Sequence, residues 1–209
     1  MYGQAEQRNN ATYVQRKDSL GNAFYKGKTL INAPMDFSKK NRISLQDLHQ
    51  ILVSLIFPDK VKQGQRFNIT GEDRNFVLKY MSQYPTESVY PPYAADTANY
   101  WPAYCKFLLF GQEKGSLPEN IRIFNKTGDA YGHMLDVAYV VDQKNKIEFF
   151  VSALIYCNSD GILNDDQYDY EKTGLPFMKN LGRVLYDYEL KRGYKVKPDL
   201  SHLKFTYDK

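Results

Sequence analysis

Apolar residues recur at helical spacing in three parts of the chain. The first helix is predicted to begin after Ser44, which can cap it together with Asp47, and to end before Pro58. Its apolar positions are Leu45, Leu48, Ile51, Leu52, Leu55 and Ile56. Further helices are predicted over 71–83 and 176–192. The side chains expected to face inward are Phe76, Val77, Tyr80 and Met81 in the second helix and Phe177, Leu181, Val184, Leu185 and Tyr188 in the third.

After residue 120 the pattern changes to one that is typical of strands. Strands are predicted from 121 to 125, from about 135 to 141, and from 147 to 157, with a short polar hairpin connection at 142–146. The third strand is almost wholly apolar, which predicts a mid-sheet position with both faces covered. An apolar stretch at 104–110 is compatible with a further short helix, and the first forty residues read as loop with room for a short strand or helix.

This order of elements predicts an α+β fold. A helical segment is followed by a three-stranded antiparallel sheet, and a C-terminal helix covers the sheet. We expect residues 1–119 to form a mainly helical and loop part, and residues 120–209 to form the sheet and its helix.

Composition excludes several classes of function. The net charge is +4 and the basic residues are dispersed, so we expect no nucleic-acid partner. No apolar run is long enough for a membrane span. The two cysteines and three histidines match no metal-site spacing, so no metal or cofactor is predicted. Two buried free thiols are favoured over one disulfide. The acidic stretch 158–171 lacks the spacing of an EF-hand and is interpreted as a solvated connection.

The tripeptide Lys-Thr-Gly occurs twice in the chain. Lys126-Thr127-Gly128 ends a predicted strand and precedes a glycine-containing turn and a second strand. The copy at 172–174 follows the acidic stretch and precedes a helix that starts with proline, so we interpret it as a turn leading into that helix. The first copy has the strand context in which this motif carries chemistry.

In that context the first copy resembles the Lys-Thr-Gly strand of class A β-lactamases and related serine hydrolases, the penicillin-recognising superfamily. Tyr131-Gly132 and Asp136-Val137-Ala138 stand where that family has Tyr-Gly and an Asp-Ile-Ala-type strand. The resemblance covers about 121–192 well and 44–56 more loosely. It implies that this chain is the C-terminal part of such an enzyme.

The resemblance also implies roles for individual residues. Lys126 would supply positive charge near the nucleophile and a substrate carboxylate, and the Thr127 hydroxyl would bind that carboxylate. Gly128 would let the substrate backbone approach closely. The backbone N–H of Asp129 would contribute to the oxyanion hole. An acidic side chain at Asp129 places negative charge beside a developing oxyanion, which argues against efficient β-lactam hydrolysis.

Four further residues are candidates for the same site. Tyr131 and His133 follow the motif closely enough to contact a substrate, although a plain turn role for His133 is the alternative. Glu6 and Asn10 fit the Glu-x-x-x-Asn spacing of the class A general-base loop. Their distance in sequence from Lys126 is longer than the distance between the corresponding motifs in β-lactamases.

The family's nucleophile is missing from this chain. Its mechanism needs a Ser-x-x-Lys motif and a Ser-Asp-Asn-like loop before the Lys-Thr-Gly strand. The segment Ser201-His-Leu-Lys204 has the first spacing, but it lies after the strand and close to the chain end, which favours a chance match. We therefore expect no catalysis by the chain alone.

Two functional hypotheses follow, besides a hydrolase with an unrecognised nucleophile. In the first, the intact protein hydrolyses a β-lactam, peptide or ester, acts outside the cytoplasm as its relatives do, and needs a missing N-terminal segment. In the second, the chain is a non-catalytic binding module that uses its tyrosine-rich loop at 84–101. Three strands leave a sheet edge uncovered, so self-association is expected if the missing segment is absent.

Overall fold

A computed structural model describes residues 18–208, and the chain divides into two compact units. The described part of the smaller unit comprises residues 18–41 and 161–165. The larger unit comprises residues 42–160 and 166–208.

Residues 18–41 and 161–165 of the smaller unit form five short strands. Strand β1 (Ser19–Leu20) pairs with β4 (Met35–Asp36), and β2 (Ala23–Lys26) forms a hairpin with β3 (Thr29–Ile31). Strand β8 (Ile162–Leu163) pairs parallel with β2. A Cβ at Gly21 would lie 2.7 Å from the carbonyl oxygen of Gly161, so the two segments approach through a position that only glycine fills without strain.

The larger unit contains the three helices that the sequence predicts: α1 (Leu45–Ile56), α2 (Gly71–Ser82) and α3 (Leu175–Lys191). The predicted cap is confirmed, because the Ser44 hydroxyl accepts the N–H of Asp47 at 3.0 Å. Thr70 and Asp73 form a complete capping box at the start of α2.

Three ten-residue strands form the antiparallel sheet: β5 (Ile121–Ala130), β6 (His133–Asp142) and β7 (Ile147–Tyr156), in the order β5-β6-β7. The α+β class and the covering C-terminal helix are thereby confirmed. The prediction that the third strand lies mid-sheet is wrong, because β6 is central and β7 is an edge. Every residue of β6 from Asp136 to Asp142 is buried. Because Asp136 and Asp142 are themselves buried, the sequence of the central strand is less apolar than that of β7.

Each face of the sheet packs against its own hydrophobic cluster. Helix α3 and the 103–110 segment cover the face that carries Ile123, Met134 and Val140. Helices α1 and α2, with Leu200 and Leu203, cover the face that carries Phe124 and Tyr139. The period of two along each strand therefore decides which cluster a side chain joins.

The inward faces of two helices differ from the prediction. In α2, Phe76 and Tyr80 are 64% and 47% exposed, whereas Leu78 and Ser82 are buried. In α3, the exposed side chains include Phe177, Val184 and Tyr188, and the buried positions are Leu175, Met178, Gly182 and Glu189. A Cβ at Gly182 would lie 2.2 Å from the backbone nitrogen of Leu109, so α3 turns its glycine towards the core.

The 104–110 stretch is a folded-back turn rather than the short helix with which its sequence is compatible. Cys105 and Leu109 have φ values of 62° and 77°, which interrupt helical geometry. Its four apolar residues, Phe107, Leu108, Leu109 and Phe110, are nonetheless buried. We call residues 105–110 the 105–110 loop.

Among residues 18–208, no helix combines the length and apolar character that crossing a membrane would need.

Candidate functional site

A two-residue turn joins β5 to β6. Tyr131 and Gly132 have φ values of 53° and 79°, the left-handed pair that a tight type I′ hairpin requires. A Cβ at Gly132 would lie 2.6 Å from the Asn158 Cβ, and the Gly132 N–H donates to the Tyr170 hydroxyl at 2.9 Å. Glycine is therefore required here by both conformation and packing.

The turn fixes which peptide groups of β5 face outward. Because Ala130 and His133 flank a two-residue turn, they form a hydrogen-bonded pair, and every second residue before Ala130 also bonds to β6. The odd-numbered residues then direct their N–H and C=O groups to the outer edge. Two contacts agree with this: Tyr84 donates to the Ile121 carbonyl at 2.7 Å, and Lys106 Nζ donates to the Ile123 carbonyl at 2.9 Å.

Farther along this edge the strand is open. No other strand of the described chain pairs with β5 at its outer edge, where the peptide groups of Thr127 and Asp129 point. The Lys126 ammonium, which is exposed, donates back to the Thr127 carbonyl. Asp129 is exposed as well. The backbone donor expected at Asp129 thus lies on an accessible edge.

The side chains of the motif alternate between the two faces of β5. Lys126 pairs with Val137 and lies on the face of α1 and α2, whereas Thr127 lies on the face of the 105–110 loop. There burial raises the pKa of the Cys105 thiol, and a hydrogen bond with the Thr127 hydroxyl partly opposes that rise. Because the side chains of Lys126 and Thr127 lie on opposite faces of β5, they can contact the same ligand only if that ligand lies at the outer edge of the strand.

Gly128 is a glycine that the fold does not demand. A Cβ there would meet the Leu135 side chain at 3.7 Å, an ordinary contact, and its φ lies outside the left-handed region. This contrasts with Gly132 and Gly182, where packing excludes any side chain. A close approach by a ligand is one reason for glycine at such a position.

The remaining predicted residues are dispersed. His133 opens β6 with its ring 4.8 Å from that of Tyr156, and partial burial lowers its pKa. Tyr131 occupies the turn itself. Glu6 and Asn10 lie outside the described residues. Contact of Tyr131 or His133 with a substrate stays a prediction.

The second Lys-Thr-Gly copy and the Ser-x-x-Lys match at 201–204 both lie in turns. Lys172-Thr173-Gly174 ends a single π-helical turn that leads into α3, as the sequence predicts. Gly174 lies close to the sulfurs of Met134 and Cys157, which leave no room for a Cβ. Ser201 begins a three-residue 3₁₀ turn and is exposed, so it does not start a buried helix.

A buried polar network that the sequence did not reveal lies behind the outer edge of β5. The Lys106 ammonium donates to the carbonyls of Met81 and Ile123, at 2.6 and 2.9 Å, and to Asn125 Oδ1 at 2.8 Å. The Asn125 amide donates to the Cys105 carbonyl at 2.8 Å and to Asp136 Oδ1 at 2.9 Å.

Asp136 completes the network from the central strand. Its carboxylate accepts the N–H of Leu108 at 3.0 Å and also that of Phe107. Burial raises the pKa of Asp136 to about 6, against the opposing effect of its hydrogen bonds and of Lys106. Burial lowers the pKa of Lys106 to about 8, although the Asp136 charge acts to raise it.

A sequence signal for this network existed, although it is weak. Lys106 interrupts an apolar stretch, Asn125 occupies an inward position of an alternating strand, and Asp136 opens the buried part of another strand. A polar residue at an apolar position is a candidate for a buried, bonded group. Its partners become identifiable only when the fold brings the three segments together.

The cysteines and His49 have structural surroundings. Cys157 is buried as predicted, but Cys105 is exposed, so the expectation of two buried thiols is wrong for Cys105. Both thiols are free. His49 Nδ1 forms a 2.7 Å hydrogen bond with the Ser152 hydroxyl, joining α1 to β7.

Aromatic rings line the loop that precedes Cys105. Tyr100 lies 4.6 Å from Tyr93 and 5.3 Å from Tyr104, and Trp101 lies 5.1 Å from Tyr104. This tyrosine cluster contributes an amphipathic surface next to the 105–110 loop.

Comparison of the chain with protein-family models, with curated proteins and with solved structures gave no match.

Proposed function

We propose that this chain is the C-terminal part of a β-lactamase-like serine hydrolase, which carries the Lys-Thr-Gly strand and one oxyanion-hole donor but no Ser-x-x-Lys nucleophile. The intact protein would transfer an acyl group from a β-lactam, peptide or ester to a serine and then to water. The observation that carries the proposal is the position of Lys126, Thr127 and Gly128 at the open edge of β5, directly before the tight turn at 131–132.

The geometry supports a division of roles along this edge. The outward N–H of Asp129, on the unpaired edge of β5, can donate to an oxyanion. The Lys126 ammonium is exposed, so it can leave the Thr127 carbonyl for a substrate carboxylate. The Thr127 hydroxyl would exchange its bond to Cys105 for the same carboxylate. The glycine at Gly128 leaves room for the ligand backbone.

Turnover of nitrocefin and of p-nitrophenyl acetate tests the proposal. The chain alone should hydrolyse neither substrate, whereas addition of the upstream segment encoded in the same reading frame should restore hydrolysis. A penicillin or fluorophosphonate probe should then label a serine of that upstream segment. Robust turnover by the isolated chain, with the probe on one of its own serines, would contradict the proposal.

The second Lys-Thr-Gly copy offers a matched control. In the complemented protein, Lys126→Gln or Thr127→Val should lower kcat/KM by roughly 100- to 1000-fold, the loss typical of a transition-state contact. Lys172→Gln and Thr173→Val change the same residue types at exposed positions of a turn and should leave kcat/KM unaltered. Equal effects of the two pairs would rule out a special role for the β5 copy.

The tyrosine cluster favours a second candidate function, a non-catalytic binding module. Stacked rings at Tyr93, Tyr100 and Tyr104 provide contact area of the kind found in recognition surfaces. An upstream reading frame without Ser-x-x-Lys, together with no probe labelling in the complemented protein, would support this candidate over the hydrolase.

A further inference from the structure

We infer that Lys106 is a positioning residue for the Lys126 strand: its buried ammonium, with Asn125 and Asp136, fixes the 105–110 loop against the outer edge of β5. The inference deepens the proposed function and rests on it, since a strand edge needs such positioning only if it binds a substrate. The hydrogen bonds themselves stand independently of that function.

Donor and acceptor counting shows that the network is saturated. An ammonium has three N–H donors, and Lys106 Nζ meets three acceptors: the carbonyls of Met81 and Ile123, and Asn125 Oδ1. The Asn125 amide has two donors, and both are used, on Cys105 and Asp136. The orientation of the Asn125 amide follows, because a reversed amide would point its N–H groups at the ammonium.

These bonds join three elements at one point of the strand. Lys106 connects the loop to the end of α2 and to β5, and Asp136 connects the loop to β6 through the N–H groups of Phe107 and Leu108. Asn125 immediately precedes Lys126, and its side-chain amide donates to the Cys105 carbonyl. The Cys105 thiol in turn forms a hydrogen bond with the Thr127 hydroxyl. The network therefore controls the loop that flanks the motif.

Loss of the Lys106 proton would break this saturation. A neutral amine has two donors, so one of the three acceptors must lose its bond. Two of them are backbone carbonyls of regular elements, whereas Asn125 Oδ1 belongs to a side chain that can rotate. Rotation of Asn125 would also release Cys105 and Asp136, and the 105–110 loop would separate from β5 beside Lys126.

The charged groups around Lys106 are known from the described elements. Asp136 on β6 and Glu87 in the turn after α2 favour the ammonium, Arg122 on β5 disfavours it, and Cys105 of its own loop favours it once ionised. Because an ionised Cys105 would change the charge beside Lys106, the test uses a Cys105→Ser chain, which keeps a hydroxyl in its place.

The experiment follows amide NMR signals of the Cys105→Ser chain from pH 7 to pH 10. The Asn125 side-chain amide and the backbone amides of Leu108, Thr127 and Asp129 should shift together, with one midpoint at about pH 8 that the Lys106 Nζ signal shares. Lys106→Met should abolish that transition, and Lys114→Met, at an exposed lysine, should leave it intact.

Two outcomes would overturn the inference. One is a Lys106 titration that moves Leu108 but leaves Thr127 and Asp129 unchanged, and the other is a transition that persists in Lys106→Met. If Lys106→Met does not fold, the titration of the Cys105→Ser chain decides by itself. No ligand takes part, so failure of the proposed hydrolase would appear separately, in the turnover and labelling assays.

Discussion

At the scale of single residues, the contact between Gly182 and Leu109 determines how α3 packs. A Cβ at Gly182 would lie 2.2 Å from a backbone nitrogen and 2.7 Å from a Cα, neither of which can move without displacing the 105–110 loop. Gly182→Ala should therefore lower the free energy of unfolding by about 2–4 kcal/mol, although alanine favours an isolated helix by ~1 kcal/mol. Urea unfolding followed by circular dichroism measures the change.

Gly71 is the matched control for that substitution. It is also a helical glycine, and a Cβ there would meet no described atom within 4 Å. Gly71→Ala should be neutral or slightly stabilising. A Gly182→Ala chain as stable as Gly71→Ala would show that α3 does not pack through its glycine.

Asp136 should make the folded chain more stable at acid pH than at neutral pH. Its folded pKa is about 6 and its ordinary value is 3.8, so the folded chain keeps a proton that the unfolded chain releases between these values. Its contribution to the free energy of unfolding is thus full below pH 4 and is lost as the pH rises through 6. The difference of about two pKa units corresponds to on the order of 3 kcal/mol.

Asp136→Asn should remove this dependence. The stability difference between the native chain and the variant should shrink from pH 4 to pH 7, by urea unfolding at each pH. Asp59→Asn, at a side chain that is 92% exposed, serves as the control and should parallel the native chain throughout. A constant difference for Asp136→Asn would mean that Asp136 is ionised in the folded chain at pH 4.

The sequence predicts the motif residues but not the network behind them. Lys126, Thr127 and Gly128 are neighbours in sequence, so their place on a strand end follows from local pattern. Lys106 and Asp136 are 30 residues apart, and only the pairing of β5 with β6 and the fold-back of the 105–110 loop bring them together. Exposure of Cys105 is equally a product of that fold-back.

At the scale of elements, Arg122 joins β5 to the segment after α2 and to the C-terminal segment. Its guanidinium binds both oxygens of Glu87 at 2.8 Å and lies between the rings of Tyr84 and Tyr207, 4.7 and 4.3 Å from their centres. Arg122→Lys should lower the free energy of unfolding by about 1–2 kcal/mol, because an ammonium neither pairs bidentately nor stacks.

Arg66→Lys is the corresponding control. Arg66 forms a longer, exposed ion pair with Asp59, at 3.9 Å, and its replacement should change stability by no more than about 0.5 kcal/mol. Similar losses for the two variants, measured by urea unfolding, would show that neither the bidentate pairing with Glu87 nor the stacking between Tyr84 and Tyr207 adds stability.

The bounds of the helices were predictable because their signals are local, whereas β5 runs to Ala130, beyond the predicted end at residue 125. Ser44 with Asp47 marks the start of α1, and Pro58 follows its end. Inward faces were less predictable, because hydrophobicity does not score a glycine such as Gly182 or a serine such as Ser82 that packs closely. The order of strands was missed for a related reason: apolar content ranks β7 above β6, although β6 is central.

At the scale of the whole molecule, β7 leaves a ten-residue edge unpaired within the described chain. Residues 147, 149, 151, 153 and 155 bond to β6, so the even-numbered residues direct their peptide groups outward. Leu154 is one of them, with its side chain 48% exposed. An unpaired edge of this length is a site for addition of another strand.

We therefore expect the isolated chain to self-associate, by light scattering at increasing concentration. Leu154→Lys should shift it towards the monomer, because a charge on an edge strand disfavours pairing with a second strand. Val196→Lys makes the same change at a residue that is 82% exposed and outside the sheet, and should leave association unchanged. A native chain that is monomeric and thermally very stable would show instead that β7 needs no partner.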